Sequence, residues 1–188
     1  TGTDLSKETE KVEIATGSIG DRNYTANWKA NTGVTYHVQY YLEKLESADI
    51  NNKDNYELIE DKELSGTTNE SVSAQIKEYA GFTYSENNPN NILTGTVSAD
   101  GSLVLKVYYT RNSYTLTLAK DENIESVIGN NVDSETLKGV YKYDEQVKID
   151  ATLKEIDGYT ITFNEWISSD VNILRNQINK NSNFKIPA

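Results

Sequence analysis

An internal repeat constrains this chain more than any other feature of its sequence. The segment VSAQIKEYAGFT at 72–83 aligns without gaps on IDATLKEIDGYT at 149–160, an offset of 77 residues. A second match has nearly the same spacing, because YHVQY at 36–40 corresponds to YTLTL at 114–118 with an offset of 78. Self-similarity at a fixed period indicates a chain built from repeated structural units. We therefore expect small modules in a row rather than one large domain.

Three short segments rich in aromatic and aliphatic residues have the character of closing strands, and each ends one repeat. They are YTANW at 24–28, LVLKVYY at 103–109 and FKI at 184–186. The predicted units are a C-terminal remnant of a preceding repeat at 1–31, a middle unit at 32–112 and a last unit at 113–188. Two alternatives stay open for 1–14, which can be disordered or can supply a strand to the remnant.

Strand periodicity dominates both ends of the middle unit. In the opening segment one face carries Tyr36, Val38 and Tyr40, and the other carries Thr35, His37, Gln39 and Tyr41. In the closing segment the same alternation turns Leu103, Leu105, Val107 and Tyr109 to the core and leaves Lys106 and Tyr108 outward. Alternation with a period of two predicts half-buried strands.

Turn-forming residues divide these strands. The pair Asp100-Gly101 lies between strand-like runs and favours a two-residue type I′ hairpin, in which both turn residues have positive φ. Loops are expected at 65–68 and in the Asn-rich stretch 86–91.

Helix signals are few. One or two helical turns are expected at 74–79, with Gly81 as the residue past the helix end. A weaker candidate is 168–179, where Val171, Leu174 and Ile178 have helical spacing. These signals together predict an α+β chain dominated by β-structure.

Composition excludes several classes of partner. The net charge is −11 and the pI is about 4.6, and binding of nucleic acid or anionic membrane depends on clusters of Lys and Arg. We therefore expect neither partner. The sequence has no apolar run of about 18 residues and no N-terminal signal segment. With no Met even at position 1, it is expected to be an internal piece of a longer protein, and any signal peptide or anchor is expected outside it.

The chain contains no Cys, which excludes disulfides, thiolate metal sites and thiol nucleophiles. A chain without disulfides can instead be cross-linked by an amide between Lys and Asn or Asp beside a buried acid. Composition allows this bond, and no motif identifies it.

Four segments of the middle unit form a recognisable series: VTYHVQYY, LSGT, KEYAGFTY and a closing GTV…LKVYY. In these segments the unit resembles the mucin-binding-protein repeat of Gram-positive surface proteins. The flanking units resemble divergent internalin B-type repeats through YTANW in the first and GYTITFNEW at 158–166 in the last. The insertion-like stretch 43–56 departs from the pattern, because it makes the first hairpin longer than the resemblance leads us to expect.

The resemblance implies tandem β-grasp-like (ubiquitin-like) modules that serve as stalk or adhesion units, and it brings no catalytic residue and no cofactor. We therefore expect a non-catalytic spacer of a secreted, cell-wall-attached adhesin, elongated and monomeric within a longer tandem chain. The alternative is a carbohydrate-binding module that recognises mucin-type glycans. A host or extracellular-matrix glycan or protein is the partner that either role implies.

Residues for a ligand site come from the predicted outer face of the middle unit. If the first and last strands pair, Tyr41 and Tyr108 lie on that face near His37 and form an aromatic platform for sugar rings. The alternative is that two tyrosines are exposed without purpose, since Tyr is common in strands. His37 is the only histidine and has no nucleophile motif beside it, so an ordinary exposed strand residue is expected.

Two other groups of residues are candidates for a function. The acidic cluster Asp54, Glu57, Glu60, Asp61 and Glu63 lacks the order of a calcium loop, so a solvated strand face is expected and no metal site. Trp28 and Trp166 each end a strand-like segment and are expected in the core or between units.

Overall fold

The computed structural model describes residues 13–21, 23, 28–46, 49–169 and 179–187. In this part the prediction of a β-dominated chain is confirmed, since the helical content is one short 3₁₀ turn, Lys53–Asn55. The strands are β1 Val34–Glu43, β2 Tyr56–Gly66, β3 Ser71–Ser73, β4 Phe82–Tyr84, β5 Thr94–Thr96, β6 Val104–Arg111, β7 Ser113–Thr117, β8 Ile124–Gly129, β9 Lys138–Lys142, β10 Gln146–Leu153 and β11 Ser182–Lys185. Most of the helix predicted at 168–179 lies outside the described residues.

The middle unit is built on a four-stranded mixed sheet of order β2-β1-β6-β4. The central strands β1 and β6 run parallel, and the two outer pairs are antiparallel. The alternation predicted for β1 is confirmed, because Tyr36, Val38 and Tyr40 are buried. Strands β3 and β5, which lie between β2 and β6 in the sequence, pair with each other as a separate two-stranded ribbon. The loop predicted at 65–68 is shorter than expected, because β2 continues to Gly66.

Two separate hydrophobic clusters form the core. The first consists of Tyr36, Val38, Tyr40, Val97, Leu105, Val107 and Tyr109. The second consists of Leu118, Val127, Tyr141, Val147, Ile149, Ala151 and Ile186. They lie on either side of Asn112 in sequence, and no strand pairing among the described residues crosses that position.

The last unit pairs its strands differently from the middle unit. Its opening strand β7 pairs with β9, whereas its closing strand β11 pairs with β10 in the sheet β11-β10-β8. In the middle unit the opening and closing strands pair directly with each other. The two units therefore share sequence motifs without sharing a complete set of strand pairs.

The helix predicted at 74–79 is wrong, because this segment is extended across the inner side of the middle sheet. The Tyr40 hydroxyl donates a hydrogen bond to the carbonyl oxygen of Gln75 (3.0 Å). The amide of Lys77 donates to the hydroxyl of Tyr109 (2.9 Å). Backbone groups that a helix would satisfy internally are satisfied by the sheet instead, so tertiary contacts override local propensity.

The type I′ hairpin predicted at Asp100-Gly101 is also wrong. The turn is closed by a hydrogen bond from the Gly101 amide to the carbonyl oxygen of Ser98 (3.1 Å). Of the two predicted turn residues, Gly101 has positive φ (73°) and Asp100 does not. The strand before it, β5, pairs with β3 and not with β6. The Asp100 carboxylate accepts from the Ser102 amide (3.1 Å), which stabilises a different turn.

The internal repeat is visible as one turn that occurs twice. The amide of Phe82 donates to the carbonyl oxygen of Tyr79, and the amide of Tyr159 donates to that of Ile156, each at 3.0 Å. The third residue of each turn is a glycine with positive φ, 78° at Gly81 and 79° at Gly158. These positions differ by the 77 residues of the sequence repeat. Glycine adopts this conformation without the steric cost that other residues have.

A second turn is also repeated, between β2 and β3 and between β9 and β10. In each, the first amide donates to a Glu carboxylate three residues later, at 2.7 Å in the middle unit and 2.8 Å in the last. The third residue has positive φ in both turns, 69° at Asn69 and 63° at Asp144. The backbone amide of the second residue donates a hydrogen bond to the carbonyl oxygen of an asparagine in the preceding linker. The pairs are Thr68 with Asn31 and Tyr143 with Asn112.

Candidate functional site

The structure brings Tyr41 and Tyr108 together on the outer face of the middle sheet. They are direct partners in the parallel pairing of β1 with β6. Their rings are stacked, with centroids 4.6 Å apart and planes 7° from parallel. Stacked aromatic pairs of this kind contribute beyond their buried area.

Tyr108 does not contribute an exposed ring, which corrects the predicted platform. Its exposed fraction is 3%. The Tyr56 ring packs edge-on against the Tyr108 ring, with centroids 4.9 Å apart. The backbone amide of Tyr108 donates to Asn91 Oδ1 (2.9 Å). Asn88, itself buried, donates to the Tyr56 hydroxyl (2.8 Å). The insertion-like stretch 43–56 and the Asn-rich loop thus cover this part of the outer face.

Burial has an electrostatic consequence at Tyr56. Removal from water, followed by the nearby Glu43 carboxylate, raises the pKa of the Tyr56 hydroxyl to about 12. The hydroxyl donates to the carbonyl oxygen of Ile50 (2.7 Å). Tyr56 therefore stays neutral and structural at physiological pH.

A hydrogen-bonded row runs across β1 and β2 on the outer face. His37 Nδ1 lies 2.7 Å from Asp61 Oδ1, and Gln39 Nε2 donates to Asp61 Oδ2 (2.9 Å). The Tyr41 hydroxyl donates to Gln39 Oε1 (2.7 Å). We call these four residues the outer-face row. The hydrogen bonds from Gln39 and His37 hold the pKa of Asp61 below its usual value.

The outer-face row offers donors and acceptors to ligand hydroxyl groups. These groups can hold a polar ligand through hydrogen bonds. The side chains of His37 and Asp61 are about one-third exposed, at 35% and 37%. His37 therefore lies in the strand position predicted for it, but it is engaged with a carboxylate that sequence reasoning did not pair with it.

Sequence reasoning missed Gln39 and Asp61 as members of this site. The antiparallel register of β1 with β2 makes these two residues direct partners. The sequence predicts the first hairpin, but the long stretch 43–56 between its strands leaves their register undetermined.

The acidic cluster is divided rather than gathered, because Asp54 lies in the 3₁₀ turn and the other four residues are distributed along β2. Glu60 lies on the inner side, 2.5 Å from Lys77 Nζ, and also accepts from the Tyr79 hydroxyl (3.1 Å). Asp61 lies on the outer side in the outer-face row. The lowered pKa of Glu60 follows chiefly from its hydrogen bond with Lys77. In the part of the chain that the structure describes, no three potential ligands are grouped for a metal ion.

A buried carboxylate lies where the middle and last units meet. Glu43 is 2% exposed, and its Oε1 lies 2.7 Å from Lys142 Nζ of the last unit. Its Oε2 accepts from the backbone amide of Arg111 (2.8 Å), and its carbonyl oxygen accepts from Arg111 Nε (3.2 Å). Arg111 also donates through Nη1 to the carbonyl oxygen of Tyr143 (2.9 Å). Charges from both units are therefore paired across the boundary.

Aromatic packing completes this contact. The Arg111 guanidinium lies 4.8 Å from the centre of the Phe82 ring and 5.8 Å from that of Tyr143. The two rings pack edge to face at 5.6 Å. A Cβ atom on Gly81 would overlap the Tyr143 ring. We use "the joint" for this group of residues: Glu43, Gly81, Phe82, Arg111, Lys142 and Tyr143.

The two tryptophans differ in environment. Trp166 packs against the second hydrophobic cluster, and its Nε1 donates to the carbonyl oxygen of Lys180 (3.2 Å). Trp28 is 73% exposed, so its predicted place in the core or between units is wrong. The described residues before Val34 form no strand on which its ring could pack.

Comparisons with protein-family models, with curated proteins and with solved structures find no match to this chain. Among the described residues, none forms a helix long and apolar enough to cross a bilayer. The geometry of the outer-face row and of the joint is therefore the basis for assigning a function.

Proposed function

We propose that this chain is a non-catalytic spacer region of a Gram-positive cell-surface adhesin, built from tandem β-grasp-like units. The observation that supports this most is the joint, in which two units are held by packed rings and by an ion pair whose carboxylate is buried. A spacer needs this property, because a freely hinged chain would not keep a distal domain away from the cell wall. The resemblance to mucin-binding-protein and internalin B-type repeats belongs to the same proposal.

The β-grasp assignment is supported by the middle sheet. Its order β2-β1-β6-β4, with a parallel central pair, is the arrangement that we expect of a β-grasp sheet. The extended segment 74–79 crosses the inner side, where a helix would otherwise lie. We interpret the unit as a β-grasp variant in which this segment replaces the helix.

The proposed spacer is an elongated monomer within a longer tandem chain. Each unit buries a small core of its own, and the joint restricts the angle between neighbours. Neighbouring units in linear repeat proteins contact each other in this way, one after another. We expect no nucleic-acid or membrane partner, given the net charge of −11.

Small-angle X-ray scattering tests the spacer. A compact globule of 188 residues would have a radius of gyration of about 16 Å, so we expect a clearly larger value and an asymmetric distance distribution. Arg111→Ala should broaden that distribution, because it removes side-chain contacts on both sides of the joint. Lys106→Ala, on the same strand but outside the joint, is the matched control. A wild-type radius near the compact value would refute the spacer.

Glycan binding is the second candidate, and the outer-face row favours it. Sugar-binding surfaces combine an aromatic side chain with a few fixed polar groups. Tyr41 supplies the ring, and Asp61 and Gln39 supply hydrogen-bonding groups held by their neighbours. The burial of Tyr108 limits the site to one partly exposed ring, that of Tyr41, which stacks on the buried one.

A screen against mucin-type glycans tests this second candidate. Gln39→Ala and Tyr41→Phe should each weaken binding at least several-fold, because both break the hydrogen bonds of the row. Thr115→Ala, an exposed strand position of the last unit, is the matched control. Tyr108→Ala is unsuitable as a probe, because loss of a buried aromatic ring costs about 3–5 kcal/mol of stability. Absence of binding to any glycan would remove this candidate.

A further inference from the structure

We infer that the turn at Gly158-Tyr159 is a docking surface for a further module of the same kind, placed after the last unit. This inference rests on the proposed spacer function and names the contact by which such an array would continue. It starts from the turn that the two units share.

In the middle unit this turn is occupied. Gly81 lies so close to the Tyr143 ring of the last unit that no other residue fits without displacement. Phe82, the next residue, packs edge to face on the same ring at 5.6 Å. The glycine and aromatic pair of one unit therefore receives a tyrosine from the unit that follows.

In the last unit the equivalent turn is vacant among the described residues. A Cβ atom on Gly158 would meet nothing within 4 Å. Tyr159 is 78% exposed, although the position aligns with the packed ring of Phe82. The backbone conformation is the same, with φ of 79° and the same hydrogen bond across the turn. The last unit thus presents the docking half of a joint without its counterpart.

The repeated turn that carries Tyr143 specifies the occupant. Its sequence is Lys142-Tyr-Asp-Glu145. The turn Thr67-Thr-Asn-Glu70 of the middle unit has the same hydrogen bond to Glu and the same positive φ at its third residue. The linker before each of these two units accepts the same backbone hydrogen bond from that turn. The occupant is therefore a module with an aromatic side chain at the position of Tyr143, reached through a short linker.

The test uses the whole chain extended by a second copy of residues 110–188. Hydroxyl-radical footprinting reports how accessible Tyr159 is in the parent chain and in the extended chain. We expect the oxidation rate of Tyr159 to fall at least fivefold on extension. Tyr143→Ala in the appended copy alone should restore the parent rate, because it removes the ring that covers the turn.

A second variant changes the docking turn instead of the docked ring. Gly158→Ala adds a Cβ atom that meets nothing in the parent chain but would meet the docked tyrosine in the extended chain. It should therefore restore exposure of Tyr159 only in the extended chain. An unchanged Tyr159 rate on extension would overturn the inference. Protection in the parent chain accompanied by a dimer on size exclusion would also overturn it, in favour of a second copy of the chain.

The scattering experiment keeps the two proposals separate. An elongated parent chain whose Tyr159 stays exposed after extension retains the spacer and rejects this docking surface. A compact parent chain rejects the spacer, whatever the footprint of Tyr159.

Discussion

At Glu43 the chain buries a negative charge between two units. A buried ion pair adds little net stability compared with apolar packing, because both charges lose their water. Breaking such a pair is nevertheless costly, since one charge is left without its partner. The Glu43 carboxylate also accepts a hydrogen bond from the backbone amide of Arg111. It therefore holds both the end of β6 and the side chain of Lys142. Its role in this position is to set geometry, not to supply most of the stability.

Glu43→Gln should lower the free energy of unfolding by about 1–3 kcal/mol, because hydrogen bonds to a buried charged group are lost or weakened. Urea denaturation followed by tyrosine and tryptophan fluorescence measures this. The control is Lys185→Gln, which breaks the exposed pair with Asp144 and should cost less than about 1 kcal/mol. Equal effects of the two variants would contradict the assigned role of Glu43.

The turn at Asp100 predicts a pH dependence. Hydrogen bonds from the Ser98 and Ser102 side chains, and then from the Ser102 backbone, lower the pKa of Asp100 from 3.8 to about 2. A carboxyl group with a lowered folded-state pKa stabilises the fold above its unfolded pKa, and this contribution is lost as the pH falls through the folded value. The relevant window is therefore from about pH 4 down to about pH 2.

Asp100→Asn should consequently shift the urea midpoint downward at about pH 6 and lose most of this effect near pH 2, where about half of the wild-type carboxyl groups are protonated in the folded state. Midpoints measured at both pH values for the two proteins check the sign. A difference that grows on acidification would show that Asp100 does not stabilise the turn as a carboxylate.

The element that joins the units is the turn between the segment 74–79 and β4. Its conformation needs a glycine for two separate reasons, positive φ and the closeness of the Tyr143 ring. The equivalent turn of the last unit has only the first reason, because a Cβ atom on Gly158 would have no neighbour within 4 Å. The two glycines are therefore a natural pair for separating backbone strain from packing.

Gly158→Ala should cost about 1–2 kcal/mol, the penalty for a left-handed conformation with a Cβ atom. Gly81→Ala should cost about 1–3 kcal/mol more than that, because overlap with a packed ring adds to the same backbone penalty. Differential scanning calorimetry and urea denaturation of the two variants measure the difference. Similar costs at the two positions would mean that Tyr143 does not pack against Gly81 in solution.

On the scale of the whole molecule, the joint couples two cores that share no strand pair in the described residues. Contacts confined to a boundary make neighbouring units unfold together when the interface is strong relative to each unit. The small cores on either side, each of seven buried residues, make this condition easier to satisfy.

We expect the middle and last units to unfold in one calorimetric transition, with the calorimetric enthalpy close to the van't Hoff enthalpy. Arg111→Ala should separate this into two transitions, because it removes the guanidinium that contacts both units. Two transitions in the wild type would contradict the coupling.

The whole chain can also carry the covalent link that composition allows. Formation of an amide between Lys and Asn or Asp would make the intact protein lighter than calculated by one ammonia or one water per bond. Intact mass spectrometry of the folded and denatured protein decides this prediction, since only a covalent bond survives denaturation.

Local patterns in the sequence were enough to determine the repeat, the two faces of β1 and the inner-face residues Leu105, Val107 and Tyr109 of β6, because alternation and self-similarity depend only on nearby residues or on direct alignment. The tertiary structure alone decided three other features. Tyr40 and Tyr109 hold the segment 74–79 extended, from positions more than 30 residues away. Tyr56 arrives from an insertion to bury Tyr108. Strand register brings Asp61 to His37. In each case a contact between distant residues outweighed a weak local preference, and such contacts exist only after the chain has folded.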